Sequence, residues 1–279
     1  MVTTGTVPAP GTDLHYVMQG TGPLLFAMDG AGGDAGRIPG LVDRLTDSYT
    51  VVTYDRRGMS RSPAGDPMPP LTPRTHADDL ALLLKSLADE PALVFGTSLG
   101  AQVGLHLLAR HPQLVDTLVA HEPSEFLFLT EEERAEAGQV VLTAYETYRK
   151  EGFGAAMARW AAFNDIDYGN LEFEPGAQLS PMTDEQLANI DFFITHEMPA
   201  YSTVQLDGTG LDVVRAEKGR LVLATGTASE RNWSYRCTHG LADRIGLPVE
   251  EFPGGHVGLK THPTAFATRL REVLRARGH

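Results

Sequence analysis

The pattern of apolar and polar positions changes character twice along the chain. Through residue 121, short runs rich in Val, Leu, Phe and Tyr alternate with longer amphipathic stretches. Residues 13–19, 23–28, 50–54, 92–95 and 117–121 read as strands, each a brief apolar run bounded by turn residues. Helices are predicted near 37–47, 73–89 and 99–110. In the second of these, Leu80, Leu83, Leu84 and Leu87 recur at the spacing that lines one face of a helix. The third stops before Pro112, as a helix tends to do ahead of a proline. Strands alternating with helices indicate a parallel sheet covered on both faces.

From about 124 to 218 the strand pattern stops. Thr130-Glu131-Glu132-Glu133 and Thr183-Asp184-Glu185-Gln186 have the form of capping boxes, which satisfy the unpaired N–H groups at a helix start. They predict helices near 131–151 and 183–197, with another near 153–164. Strand signals resume at Leu221-Val222-Leu223-Ala224. A helix near 233–245, a strand at 249–252 and a last helix at 263–277 follow. The expected organisation is a core domain built from 1–123 and 219–279, with a helical cap, 124–218, inserted between two strands.

Bulk properties narrow the partners. A chain of 279 residues can bury one sizeable core. Its formal net charge of −13 argues against nucleic acid and against an anionic membrane surface. No apolar stretch approaches the roughly 20 residues a membrane helix needs. Met1 to Pro10 lacks the basic head and apolar run of a signal peptide. The lone Cys237 has no internal disulfide partner, which suits a reducing compartment, so a cytoplasmic location is expected. No metal and no cofactor are expected. No His or carboxylate cluster has ligand spacing, and the Gly-rich stretch at 30–33 lacks the full dinucleotide fingerprint. The expected partner is a small-molecule substrate, and a homodimer is not readable from the sequence.

The candidate chemistry centres on Gly96-Thr97-Ser98-Leu99-Gly100, between a predicted strand and a predicted helix. That context is what a strand–turn–helix nucleophile motif requires. The serine occupies a sharp turn, and side chains two positions either side of it would collide. Attack by Ser98 on a carbonyl creates an oxyanion, which backbone N–H groups can stabilise. One donor is expected from Leu99 and the other from the loop after the strand at 23–28, at Gly30 or Ala31. Serine also needs a base. Among ten histidines, His256 in Phe252-Pro253-Gly254-Gly255-His256 lies just past the last predicted strand, where sites form in open α/β sheets. An acid should orient that imidazole. After the strand at 221–224 the loop reads Gly226-Thr227-Ala228-Ser229-Glu230, with small uncharged residues where an acid is commonly found and Glu230 slightly late. After the strand at 117–121 stands Glu122, beside the nucleophile's own strand. Glu122 is the preferred acid and Glu230 the alternative.

Asp55-Arg56-Arg57-Gly58-Met59-Ser60-Arg61-Ser62, the Ser98 turn and Gly254-Gly255-His256 together resemble the α/β-hydrolase superfamily, over nearly the whole chain. The resemblance implies an α/β-hydrolase fold, a mostly parallel sheet with helices on both faces and a helical cap insertion. Asp29-Gly30, Gly58-Met59-Ser60-Arg61-Ser62 and His121-Glu122-Pro123 are also similar to the zearalenone-lactonase group. In that group the acid is a glutamate after this same strand, which carries over to Glu122. Most relatives of this fold instead carry Asp after the later strand, and this sequence departs from them there.

These readings point to a serine hydrolase cleaving a carboxylic ester or lactone of a mainly apolar small molecule. A haloalkane dehalogenase would need an aspartate where Ser98 stands. A carbon–carbon bond hydrolase and a cofactor-free haloperoxidase share the serine site. A non-hydrolytic binding protein or cyclase on the same fold is the alternative from another class. Of the aromatics Trp160, Phe163, Tyr168, Phe192, Phe193 and Tyr201 in the helical stretch, Trp160 is singled out as a substrate contact, together with Ala31 in the Gly-rich loop.

Overall fold

The computed structural model describes residues 2–201 and 203–279, and for Phe163 the backbone alone, so the ring singled out at 163 lies outside the described side chains. The chain opens with a hairpin, β1 (Val2–Ala9) and β2 (Thr12–Gly20), followed by β3 (Leu24–Met28). Then come α1 (Pro39–Leu45), β4 (Thr50–Tyr54), α2 (Pro73–Leu87), β5 (Ala92–Thr97), α3 (Leu99–Arg110) and β6 (Val115–His121). A helical stretch holds α4 (Glu131–Glu151), α5 (Phe153–Phe163), α6 (Asp184–Phe192), a π-helical turn (Phe193–Glu197), α7 (Met198–Tyr201) and α8 (Gly208–Ala216). The chain closes with β7 (Leu221–Gly226), α9 (Trp233–Ile245), β8 (Val249–Phe252), α10 (Gly258–Thr261) and α11 (Pro263–Ala276).

The eight strands form one sheet in the order β1-β2-β4-β3-β5-β6-β7-β8. β1 and β2 pair antiparallel, as do β2 and β4, and every later pair is parallel. This is an α/β-hydrolase fold, with the sheet flanked by helices. Strands buried on both faces read as continuous apolar runs, and β5 and β7 are buried at every position. Because side chains alternate across a strand, neighbours feed opposite cores. Phe26, Val52, Val94, Leu118 and Leu223 pack on one face, while Leu25, Val51, Leu93, Val119 and Val222 pack on the other. α3 is buried from Leu99 to Leu108, and Leu105, Leu107 and Leu108 are fully so. Each such leucine is worth about 1.5–3 kcal/mol. That burial anchors the helix whose first turn carries the site. None of the described helices is long and apolar enough to cross a membrane.

Both predicted capping boxes form, at Thr130 with Glu133 and at Thr183 with Gln186. Three features differ from expectation. β1 had no strand signal: its sequence is interrupted by Gly5 and Pro8, and only Val7 is fully buried, so an exposed edge strand left no apolar run to read. The predicted helix at 183–197 changes winding, ending as α6 and continuing as the π turn. α8 lies inside the stretch 124–218 but packs against α3, with Asp207 capping its start.

Candidate functional site

Ser98 follows the last residue of β5 and precedes the first of α3, and its backbone is held at φ 54°, ψ −122°. A non-glycine residue avoids this region unless its surroundings enforce it, and such strain clusters at functional sites. Two close approaches enforce it here. A Cβ built on Gly96 would lie 2.4 Å from the Gly100 carbonyl oxygen, and one built on Gly100 would lie 2.6 Å from that of Asp29. The Ser98 hydroxyl makes no capping bond to its own helix. Leu99, as the first helical residue, has no earlier turn to accept its N–H.

Glu122 stands immediately beyond β6, the neighbour of β5, and also has positive φ, 50°. Its backbone N–H donates to the Ala224 carbonyl at 2.9 Å. The turn carries its side chain under the end of β7. There the Gly226 N–H donates to Oε1 at 2.8 Å, while His256 Nδ1 meets Oε2 at 2.5 Å. Glu122 is fully buried. Burial pushes its carboxyl up, but the His256 hydrogen bond and the electrostatic pull of the adjacent His121 and His256 imidazoles outweigh that and hold it at about 2. An ionised carboxylate only accepts, so the shared proton resides on His256 Nδ1. In the neutral ring Nε2 is then the nitrogen that carries no proton. Glu230 is exposed on the surface and takes no part. The fully buried His121 is held down to about 4 by burial, with Nδ1 3.0 Å from Thr97 Oγ1, and its ring packs edge-on against Phe252 and Phe266.

The loop after β3 closes over the nucleophile. A Cβ on Gly30 would stand 2.9 Å from Ser98 Cβ and 3.3 Å from its Oγ, so this position admits no side chain. Ala31, next to it, is half-buried against the core. Three residues that sequence reasoning gave no role hold this loop. Arg56 Nη1 donates to the Gly30 carbonyl at 2.7 Å, and Nη2 donates to Glu197 Oε2 at 2.9 Å. His76 Nε2 lies 3.0 Å from Glu197 Oε1. All three are buried. Burial would raise the Glu197 carboxyl, yet the adjacent Arg56 and His76 hold it at about 2. Glu197 ends the π turn, so a winding irregularity in the helical stretch is tied through Arg56 to the loop after β3. The available sequence signal was the buried-type context of Arg56 inside Asp55-Arg56-Arg57-Gly58. Its partner, 141 residues away, left none.

From the same stretch, Tyr201 is buried with its hydroxyl toward Ser98 and Ser124. Trp160 packs edge-on against the Tyr201 ring at 6.1 Å, which places it one ring from the nucleophile. Phe193 packs on Tyr201 likewise. A cavity of about 610 Å³ opens between the helical stretch and the core, and its walls include Arg37, Met157, Ile190, Val257 and Lys260. Ser98, His256, Glu122, Gly30 and Leu99 are thus brought to one edge of the sheet. The arrangement brings together a strained serine, a histidine held by a buried carboxylate, and backbone N–H groups at a helix start.

A model of the α/β-hydrolase fold matches residues 25–168. The chain is also 33% identical over 274 residues to the uncharacterized hydrolase YraK of Bacillus subtilis, covering 98% of this chain and 96% of that protein. The chain belongs to the α/β-hydrolase family. Another member, 2-(acetamidomethylene)succinate hydrolase of Mesorhizobium japonicum, is 33% identical over 107 residues, 38% of either chain. Among solved folds, the crystal structure of E-2-(acetamidomethylene)succinate hydrolase superposes with a TM-score of 0.67 at 20% identity, covering 99% of this chain and 100% of that one. As an α/β-hydrolase the protein is a hydrolase. Its relatives' names spread over several bond types, so the bond it cleaves must be argued from the site.

Proposed function

We propose that this α/β-hydrolase is a serine hydrolase that cleaves a carboxylic ester or lactone of a mainly apolar small molecule through an acyl-enzyme. The observation that carries the reading is the Glu122–His256 contact beside a strained Ser98. Ser98 Oγ attacks the carbonyl carbon while His256 Nε2 takes its proton. The N–H of Leu99 and that of Gly30 or Ala31 stabilise the oxyanion, a term worth several kcal/mol. The imidazolium, balanced by Glu122, returns the proton to the departing alkoxide. Water then attacks the acyl-enzyme with His256 again as base. The helical stretch acts as a cap, and Trp160, Tyr201 and Phe193 supply an apolar wall over the nucleophile. The lactone arm is supported by the likeness of the Asp29-Gly30, Gly58–Ser62 and His121–Pro123 segments to lactonases.

A second reading, a substrate cleaved at a carbon–carbon or amide bond, is suggested by the acetamidomethylene compound named for the Mesorhizobium relative, and the same triad would serve it. Two measurements test the proposal. A fluorophosphonate probe should label wild-type protein at Ser98 and leave Ser98→Ala unlabelled. A panel of esters, lactones and amides should show turnover of esters or lactones, abolished in Ser98→Ala with binding retained. Absence of labelling, or wild-type turnover by Ser98→Ala, refutes the serine mechanism. Turnover of amides alone transfers the reading to the second substrate class.

A further inference from the structure

The cavity beside the site has a chemical bias that the chain's composition opposes. The protein carries 36 Asp and Glu against 23 Lys and Arg. Among the described residues, however, the cavity walls include Arg37, Arg44 and Lys260 and no carboxylate. The remaining wall is largely apolar, with Phe153, Met157 and Ile190 among it.

The three cations are not equally engaged. Arg44 donates to Thr264 Oγ1 and to the Gly40 carbonyl. Lys260 Nζ donates to Asp29 Oδ2 at 2.7 Å, and Arg37 Nε lies 3.4 Å from that same oxygen. Asp29 sits behind the wall, so one carboxylate faces two cations. The second nearby carboxylate, Asp34, accepts from the Gly36 N–H at 2.7 Å and the Asn189 amide at 3.0 Å and acts on Arg37 and Lys260 only through its charge, with no direct contact to either. Glu174, near Arg44, accepts from the Thr264 and Ala265 N–H groups. Arg37 Nε faces Asp29 at 3.4 Å without forming a hydrogen bond of normal geometry, so the guanidinium is held by one long ion pair. A half-buried guanidinium with one long ion pair can still take a carboxylate on its other nitrogens, in a charge-assisted hydrogen bond.

The cavity wall joins the site through its neighbours: Lys260 in the wall binds Asp29. Asp29 precedes Gly30, which abuts Ser98, and Val257 in the cavity wall follows His256. We infer that this cavity binds the carboxylate end of the substrate at Arg37, so that the hydrolase acts on an apolar ester or lactone bearing a remote carboxylate. The inference rests on the serine-hydrolase reading for the bond that is cleaved, but not for the anion site itself. A volume of about 610 Å³ suits a molecule of this kind, with its apolar body against Phe153, Met157 and Ile190 and its charge at Arg37.

The test separates binding from turnover. Octanoate and octanamide, matched in shape and differing in charge, are titrated calorimetrically into the Ser98→Ala protein at pH 7. Octanoate should bind at least tenfold more tightly, and Arg37→Met should remove the difference. Arg37→Gln serves as a second variant should the first fail to fold. Equal affinities, tighter octanamide binding, no binding of either, or a preference that survives loss of Arg37 overturns the inference. In wild-type protein, the mono-p-nitrophenyl ester of suberic acid should exceed p-nitrophenyl octanoate at least tenfold in kcat/KM, and the Arg37 variants should erase that ratio. A binding preference for octanoate with no labelling of Ser98 would sink the serine-hydrolase reading and leave the anion site standing.

Discussion

Replacing Glu122 by Gln is the most informative single change, because it alters charge while nearly preserving shape. In the wild-type protein Oε1 accepts from the Gly226 N–H and Oε2 from His256 Nδ1. The Gln carbonyl oxygen can keep only one of these partners. If it stays on Gly226, the amide NH2 faces Nδ1, which must then lose its proton and accept. The imidazole proton moves to Nε2, and the base facing Ser98 is gone. A wrong tautomer of this kind costs about 10^4 in kcat, or about 5 kcal/mol of transition-state stabilisation. A stability consequence follows from the same carboxyl. Its value falls from an ordinary 4.5 to about 2 in the folded protein. A depressed carboxyl contributes stability that is complete above about pH 4.5 and is lost as pH falls toward 2. The gap corresponds to about 3 kcal/mol. Denaturant unfolding of wild type and Glu122→Gln between pH 7 and pH 2 should therefore converge at the acid end, wild type losing about 3 kcal/mol more. The kinetic assay is turnover of an activated ester near pH 7. A Glu122→Gln enzyme within tenfold of wild-type kcat would refute the assignment, and matching acid unfolding curves would refute the electrostatic reasoning.

Other outcomes follow from the same geometry. Gly30→Ala places a methyl 2.9 Å from Ser98 Cβ and 3.3 Å from its Oγ, so one of them must move by a fraction of an ångström to about 1 Å. Displacing the nucleophile or the oxyanion loop by that amount should lower kcat by about 10^2, read in steady-state kinetics. Glu197→Gln leaves Arg56 buried with one charged partner fewer. Thermal unfolding should show a loss of about 3–5 kcal/mol, and kcat should fall as the Gly30 carbonyl loses its fixed donor. An unchanged melting temperature and kcat would mean that Arg56 holds the loop without Glu197. Glu230→Gln, on the surface, should leave turnover within twofold of wild type, since exposed positions away from such features seldom matter.

The elements that were legible in the sequence are those whose burial is one-sided or complete. β5 and β7 wrote continuous apolar runs, and the face of α2 that Leu80, Leu83 and Leu84 bury wrote a helical repeat. Turn chemistry exposed the Ser98 elbow, because close packing excludes side chains at Gly96 and Gly100 and leaves a local pattern. β1 was invisible because an edge strand with one buried residue needs no such pattern. The Arg56–Glu197–His76 cluster was invisible for another reason. Its members lie on three distant segments, and each alone reads as an ordinary polar residue. Pairing between distant charges leaves no spacing in the chain.

The acid was the hardest choice to read, and packing explains where it stands. A Cβ on Gly226 would meet the Gly254 carbonyl oxygen at 2.6 Å, so the end of β7 has no room for a side chain. The Gly226 N–H, however, points to where a carboxylate is needed. Glu122 reaches that place from the adjacent strand by taking positive φ just past β6, which directs its longer side chain beneath β7. An aspartate at position 122 is one methylene shorter, and its carboxylate could not serve Gly226 and His256 from the same backbone. Within this packing, therefore, a glutamate at this position and its location after β6 go together as the proposed acid. Glu122→Asp should then cost far more activity than a charge-conserving exchange on the surface.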